Sequence, residues 1–268
     1  HYSTNRVSKY AKETVFIGEQ DGEISVNYRM LCPSDGKKTN IGAIEFTFPT
    51  KAVYTYGNLL SLEFIRIVSR DGWLIDEVGG FLRRYVDLLE KLLEEEQVPT
   101  TLSSMDDKLP GQYFDIIPQN IVVTENGSSV VIDKEWKLLN YVELGLCLFR
   151  STLLMIASVS RFGKCARGVT YSRRNFITEA FKSAGFVIDQ SKIDNYIELE
   201  ASVQSQITGY PIEHFRKWDP ELLLPTEDMS SALSTRDTII SQLQQQHEQL
   251  HVDIDALYQS SSWKITAP

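Results

Sequence analysis

Asp115, Asn120 and Asp133 are the residues of this chain whose types and spacing best suit chemistry. The first two bound the segment DIIPQN, and the third comes thirteen residues after Asn120, in the run VVIDKEW. An Asp can take the proton of an attacking hydroxyl, while an Asn oxygen and a second carboxylate are hard ligands of the kind that hold magnesium beside phosphate groups. The intervening IVVTENGSSVVI favours strand and carries an Asn126-Gly127 turn signal, so a hairpin should return Asp133 to the loop. Asp115 is then the candidate catalytic base, and Asn120 and Asp133 are the candidate metal ligands. A plainer alternative is that Asp115 and Asn120 cap a turn while Asp133 ends a strand, since both residue types are common in turns.

The elements that must position these residues fall into three groups. Thr14 to Ile17, Glu23 to Leu31 and Gly42 to Phe48 are strand-like runs, the first two joined by a turn at Asp21-Gly22. Leu59, Leu62, Ile65 and Val68 then set a helical period, and a second helix is expected from about Ile75 to Glu96, with Val78, Leu82, Tyr85, Leu89 and Leu92 on one face. Beyond Trp136 the expectation is largely helical: Leu138 to Arg161, Arg173 to Ala184, and Asp189 to about Thr208. Pro225 to Thr235 reads as a polar linker. From Ile240 the apolar residues take three-four spacing through Leu243, His247, Leu250, Ile254 and Leu257, which reads as a short coiled coil or as a helix packed on its own domain.

Composition excludes several classes. With 27 Lys and Arg against 36 Asp and Glu, a net charge of −9 argues against nonspecific binding to nucleic acid or anionic lipid. The three cysteines, Cys32, Cys147 and Cys165, are scattered and odd in number, which fits a reducing, cytoplasmic setting. The first residues are too polar for a secretory signal, and the start at His1 reads as a piece of a longer protein. Leu138 to Val159 is the most apolar stretch, but Glu143 and Arg150 interrupt it, so a buried helix is expected and not a membrane span. His247 and His251 lie one helical turn apart with no third ligand nearby, a pattern of ordinary helix positions more than of a metal site.

Asp115-Ile-Ile-Pro-Gln-Asn120 resembles the D-x-x-x-x-N catalytic loop of kinase-like enzymes, with Pro118 where such enzymes often have one and Asp133 where their second metal carboxylate stands. Tyr54-Thr-Tyr-Gly57-Asn-Leu-Leu60 resembles the lobe connection of aminoglycoside phosphotransferase-like kinases. Taken with the N-terminal HYSTNR, AKETVFI and DGEISV segments and the tail SSSWKITAP, the chain resembles the C-terminal half of bifunctional bacterial O-antigen proteins. In those, a methyltransferase domain precedes a kinase-like domain and a coiled coil. The resemblance implies an α+β, two-lobed kinase-like fold: a reduced β-rich N-lobe over residues 1–56, a mainly helical C-lobe over 57–224, a linker over 225–235, and a coiled coil with tail over 236–268. It also implies magnesium and ATP as cofactors and phosphorylation of a sugar hydroxyl on a lipid-linked glycan. Asp115 would be the base, Asn120 and Asp133 would hold the metal, Tyr54 and Tyr56 would border the nucleotide, and Glu135 would match the Glu of a D-x-E pattern. The implied partners are an upstream methyltransferase or glycosyltransferase domain and further copies of the chain through residues 236–260, at the cytoplasmic face of the inner membrane.

The departures define the alternative. Tyr113 and Phe114 replace the His-Arg before the catalytic Asp, and Gly18-Glu-Gln-Asp-Gly22-Glu is an acidic hairpin turn and not a phosphate-binding loop. Tyr28 stands where the third strand of a kinase offers a Lys, with Arg29 on the opposite face; Lys51, Lys12 and Arg6 are candidates to substitute. Too little helical sequence lies between Leu31 and Tyr54 for the helix that carries the Lys-pairing Glu. A pseudokinase that holds and oligomerises an attached transferase domain therefore stands beside the active phosphotransferase. Methyl transfer by this chain itself has no Gly-rich cofactor motif to support it.

Overall fold

The structure is a computed structural model that describes residues 2–19, 22–32, 38–41, 43–98, 100–226 and 229–259. The chain divides into two compact units, His1–Pro225 and Thr226–Pro268.

Unit 1 is α+β, with small antiparallel sheets feeding a helical core. Its β-rich beginning comprises β1 (Tyr2–Ser3), β2 (Lys12–Gly18), β3 (Ile24–Met30), β4 (Lys38–Ile41), β5 (Ile44–Thr47), β6 (Lys51–Val53) and β7 (Asn58–Leu59). Strands β1, β2, β3 and β6 form one sheet in that order, and the β2–β3 register pairs Lys12 with Met30, Thr14 with Tyr28 and Val26 with Phe16. The hairpin turn closes through Glu19 N–H donating to Glu23 O, with Gly22 at φ +85°, a conformation glycine adopts without steric cost. Gln20 and Asp21 of that expected turn, like Gly42 of the third expected strand run, lie outside the described residues. Between Leu31 and Tyr54 every described element is a strand.

Two helices follow, α1 (Ser61–Ser69) and α2 (Ile75–Glu95). In α2 the buried Val78, Leu82, Tyr85 and Leu89 recur every three or four residues, so one face enters the core. Its first turn is closed by Glu77, whose carboxylate accepts from Leu74 N–H at 2.9 Å. Then come β8 (Lys108–Pro110), a short 3-10 turn over Gly111–Asp115, a second over Pro118–Asn120, and the hairpin β9 (Ile121–Val123) and β10 (Ser129–Val131). Strand β9 pairs with both β10 and β7, which ties the hairpin to the β-rich beginning of the chain.

The expected helix over Leu138 to Arg161 needs correction at its start. Trp136–Leu138 is a strand, β11, paired with β5, and Tyr141–Glu143 is a strand, β12, paired with β8; the helix α3 runs only from Leu144 to Ser158. An apolar run alone does not separate a buried strand from a buried helix, and here the neighbouring strands decide. Helix α3 is buried almost all round, whereas α4 (Arg173–Ser183) and α5 (Gln190–Thr208) each bury one side. Helix α5 is capped by the Asp189 carboxylate accepting from Lys192 N–H and ends at Gly209, φ +78°. A short α6 (Ile212–Arg216) follows.

Unit 2 contains α7 (Met229–Gln259), which begins inside the stretch expected to be linker. Ile240, Leu243, Leu250 and Ile254 are exposed along it, and the His247 and His251 rings are 4.5 Å apart. The tail SSSWKITAP lies outside the described residues, as does the side chain of Leu257. No described helix is long and apolar enough to cross a membrane.

Candidate functional site

The β2–β3–β6 sheet and the β9–β10 hairpin face each other across a cleft of about 680 Å³. Val26, Ala52, Leu59, Val122 and Val131 give it apolar walls, and Lys12, Asp133 and Lys134 supply its charged groups. Of the two tyrosines expected at the nucleotide, Tyr54 lines the cleft, with its ring edge-on to Phe16 and Tyr56, whereas Tyr56 is 59% exposed and outside the lining.

Lys12 is the central cation. Its side chain is 3% exposed, and its Nζ lies 2.5 Å from both Asp133 Oδ1 and Glu135 Oε1. Burial alone would lower its pKa, but the Glu135 and Asp133 carboxylates outweigh burial and hold it above the usual lysine value. Glu135, 2% exposed, is held in turn by Arg6 at 2.8 Å. Of the three cations expected to reach the cleft, Lys12 alone lines it; Arg6 pairs with Glu135 outside the lining, and Lys51 is 61% exposed and faces Glu19. Arg29 points away, as strict alternation requires, and pairs with Glu13.

Asp133 reaches the cleft from a turn between β10 and β11, at φ +54°, a left-handed conformation that Asp tolerates better than most residues. Its side chain is 40% exposed. Asn120 is joined to the segment before Asp133 by Ile132 N–H donating to Asn120 O at 2.8 Å, and its Nδ2 donates to Asp115 O; like Asp115, it is not among the residues lining the cleft. By type, an amide oxygen and a half-exposed carboxylate suit a hard divalent ion that completes its shell with phosphate and water, and of these two side chains Asp133 is the one that lines the cleft. Among the described residues no group of three or more His, Cys, Asp and Glu is gathered to hold a metal on protein ligands alone.

Asp115 differs from the expectation for a base. It is 4% exposed and is not among the residues lining the cleft. Its Oδ2 accepts from Glu135 N–H and Trp136 N–H at 3.1 and 3.2 Å, and Arg150 Nη2 stands 3.9 Å from Oδ1. Burial pushes its carboxyl up to about 6, against the opposing pull of Arg150 and the two backbone donors. In this arrangement Asp115 fixes the backbone that carries Glu135.

Arg150 and Glu200 were not among the expected site residues. Both are buried and paired with each other, so a single guanidinium on α3 serves the Asp115 carboxylate and the Glu200 carboxylate of α5. The sequence held one signal for this: an Arg in the middle of an otherwise apolar helix needs an internal partner. The loop is tied further to α2, where Tyr85 Oη–H donates to Ile116 O at 2.6 Å. Compared with known proteins, the chain matches no family model, no curated protein and no solved structure.

Proposed function

We propose that unit 1 is a kinase-like phosphotransferase module that takes magnesium-ATP in the cleft between the β2–β3–β6 sheet and the β9–β10 hairpin. Its reduced β-rich part would serve as the upper lobe and the helices from α1 to α6 as the lower. The observation that carries this reading is the meeting of a buried lysine and a half-exposed carboxylate, Lys12 and Asp133, at the charged side of an otherwise apolar slot. Apolar walls suit a flat base, and a charged end suits polyphosphate with its cation. Asp133 and Asn120 would hold the magnesium, which when bound neutralises phosphate charge. The acceptor, a sugar hydroxyl of a lipid-linked glycan, and an attached methyltransferase or glycosyltransferase domain follow from the O-antigen resemblance.

One observation favours a second reading, a noncatalytic scaffold: the Asp115 carboxylate is enclosed by two N–H groups and Arg150 and does not face the cleft. Titration calorimetry of ATP and ADP into the chain, with and without magnesium, tests the first step, with Asp133→Ala as control. Magnesium-dependent binding that the variant loses supports a nucleotide site, and absence of binding removes it. Phosphoryl transfer abolished by Asp115→Asn, which keeps an acceptor for both N–H groups, with nucleotide binding retained then supports the phosphotransferase, whereas wild-type binding without turnover leaves the scaffold.

A further inference from the structure

Resting on the nucleotide reading above, we propose that Lys12 is the phosphate-binding cation of the cleft, delivered by β2 in place of the absent lysine of β3, with Glu135 and Arg6 as its positioning residues. The strand register explains how a residue on the neighbouring strand can do this. Lys12 lies opposite Met30, two residues along from Tyr28, so Lys12 and Tyr28 share one face of the sheet. The Lys12 ammonium is 4.7 Å from the centre of the Tyr28 ring, over the very residue that stands where β3 was expected to carry lysine. The aromatic face supports the cation from below.

The supply of partners points the same way. An ammonium has three N–H donors. Lys12 donates to Asp133 at 2.5 Å and stands at the same distance from Glu135 as its ion-pair partner, which leaves at least one donor for a phosphate oxygen and more if Asp133 turns to a metal. Glu135 is buried and locked by Arg6, so it keeps the ammonium in place when Asp133 departs. The described segment between Leu31 and Tyr54 holds only strands, so a lysine-pairing glutamate has to come from elsewhere, and the loop after β10 supplies it. Lys134, the other cation of the cleft lining, is exposed, and no hydrogen bond or ion pair among the described residues fixes it.

The test compares the affinities of ADP and adenosine for the full chain by calorimetry, because only ADP offers phosphate. Wild-type protein should bind ADP more tightly than adenosine. Lys12→Gln should weaken ADP by roughly ten- to a hundredfold, the loss of one charge-assisted hydrogen bond, and leave adenosine unchanged. Glu135→Gln should weaken ADP in the same selective way, and Lys134→Gln should leave both ligands within about threefold, as an unanchored surface charge does. A Lys12→Gln protein that keeps the wild-type preference for ADP overturns the assignment while the nucleotide reading stands; a wild-type protein that binds neither ligand removes both. Labelling of the native chain with an adenosine carrying a 5′-sulfonyl fluoride electrophile needs no variant. Modification should map to Lys12 by peptide mass spectrometry, and modification at Lys134 alone overturns the assignment.

Discussion

Replacing Asp115 by Asn turns the enclosure of this carboxylate into a measurable pH dependence. Burial, opposed by Arg150 and two backbone N–H groups, moves the Asp115 carboxyl from 3.8 to about 6. At 1.36 kcal/mol per pKa unit, ionising it in the folded chain costs about 3 kcal/mol more than in the unfolded chain. Between pH 4 and 6 the folded state therefore binds more protons than the unfolded state, and stability falls as pH rises. The contribution is fully present below about pH 4 and is lost as pH passes about 6. Asp115→Asn removes the titration, yet an amide oxygen can still accept from Glu135 N–H and Trp136 N–H. The stability of the variant relative to wild type should therefore shift by most of that cost, about 2 kcal/mol, in favour of the variant between pH 4 and pH 7. Urea unfolding at the two pH values, followed by the fluorescence of the buried Trp73 and Trp136, reads this difference. A difference that does not change with pH would show a solvated carboxylate and refute the enclosed geometry, and one that moves the other way would show that Arg150 and the two N–H groups outweigh burial.

Three further substitutions or deletions probe the supports of the site. Arg150→Met leaves the buried Asp115 and Glu200 carboxylates without their shared cation, so urea unfolding should show a loss of about 3–5 kcal/mol; a loss below about 1 kcal/mol would mean the pair is not buried together. Gly111→Ala would set a Cβ 1.9 Å from Leu138 O and 3.2 Å from Asn140 O, backbone atoms that a side-chain rotation cannot move aside. Its thermal midpoint should drop by several degrees, about 2 kcal/mol or more of stability, and an unchanged midpoint would contradict this close approach. Removal of residues 226–268 takes away the exposed Ile240, Leu243, Leu250 and Ile254 of α7. If that stripe is the seam of a coiled coil, light scattering should show the full chain as an oligomer and the truncated chain as a monomer, and the same mass per particle for both would exclude the seam.

The elements with strong local signals were legible in the sequence. The β2–β3 pair, the β9–β10 hairpin with its Asn126-Gly127 turn, and helices α1, α2, α4 and α5 fall within a few residues of where alternation, period and caps put them. Legibility failed where long-range partners decide. Leu138 and Tyr141 to Glu143 belong to an apolar run that continues into α3, but Ile44 and Lys108–Pro110 capture them as strand partners. For Lys12, sequence offered only a place among three basic residues, because its selection depends on Glu135, 123 positions away. Likewise the D-x-x-x-x-N spacing marks Asp115 but says nothing about which way its carboxylate turns, and that is set by the N–H groups of Glu135 and Trp136 and by Arg150.

Helix α5 holds residue 135 by two separate routes, one to its backbone and one to its side chain. Glu200 engages Arg150, Arg150 faces Asp115, and Asp115 accepts from the N–H of Glu135. Seven residues further along the same helix, Ile207 O accepts from Val7 N–H at 2.8 Å, which fixes the segment from which Arg6 reaches the Glu135 carboxylate. A long helix is a stiff member, and two attachments separated by two turns resist rotation as well as translation. The Glu135 carboxylate beside Lys12 is therefore tied to the helical core through α3 and α5, while the Glu135 carbonyl accepts from Thr47 N–H at the end of β5. A short sheet can then hold a buried ammonium in a fixed place, because its Glu135 partner is itself buried and anchored from two sides.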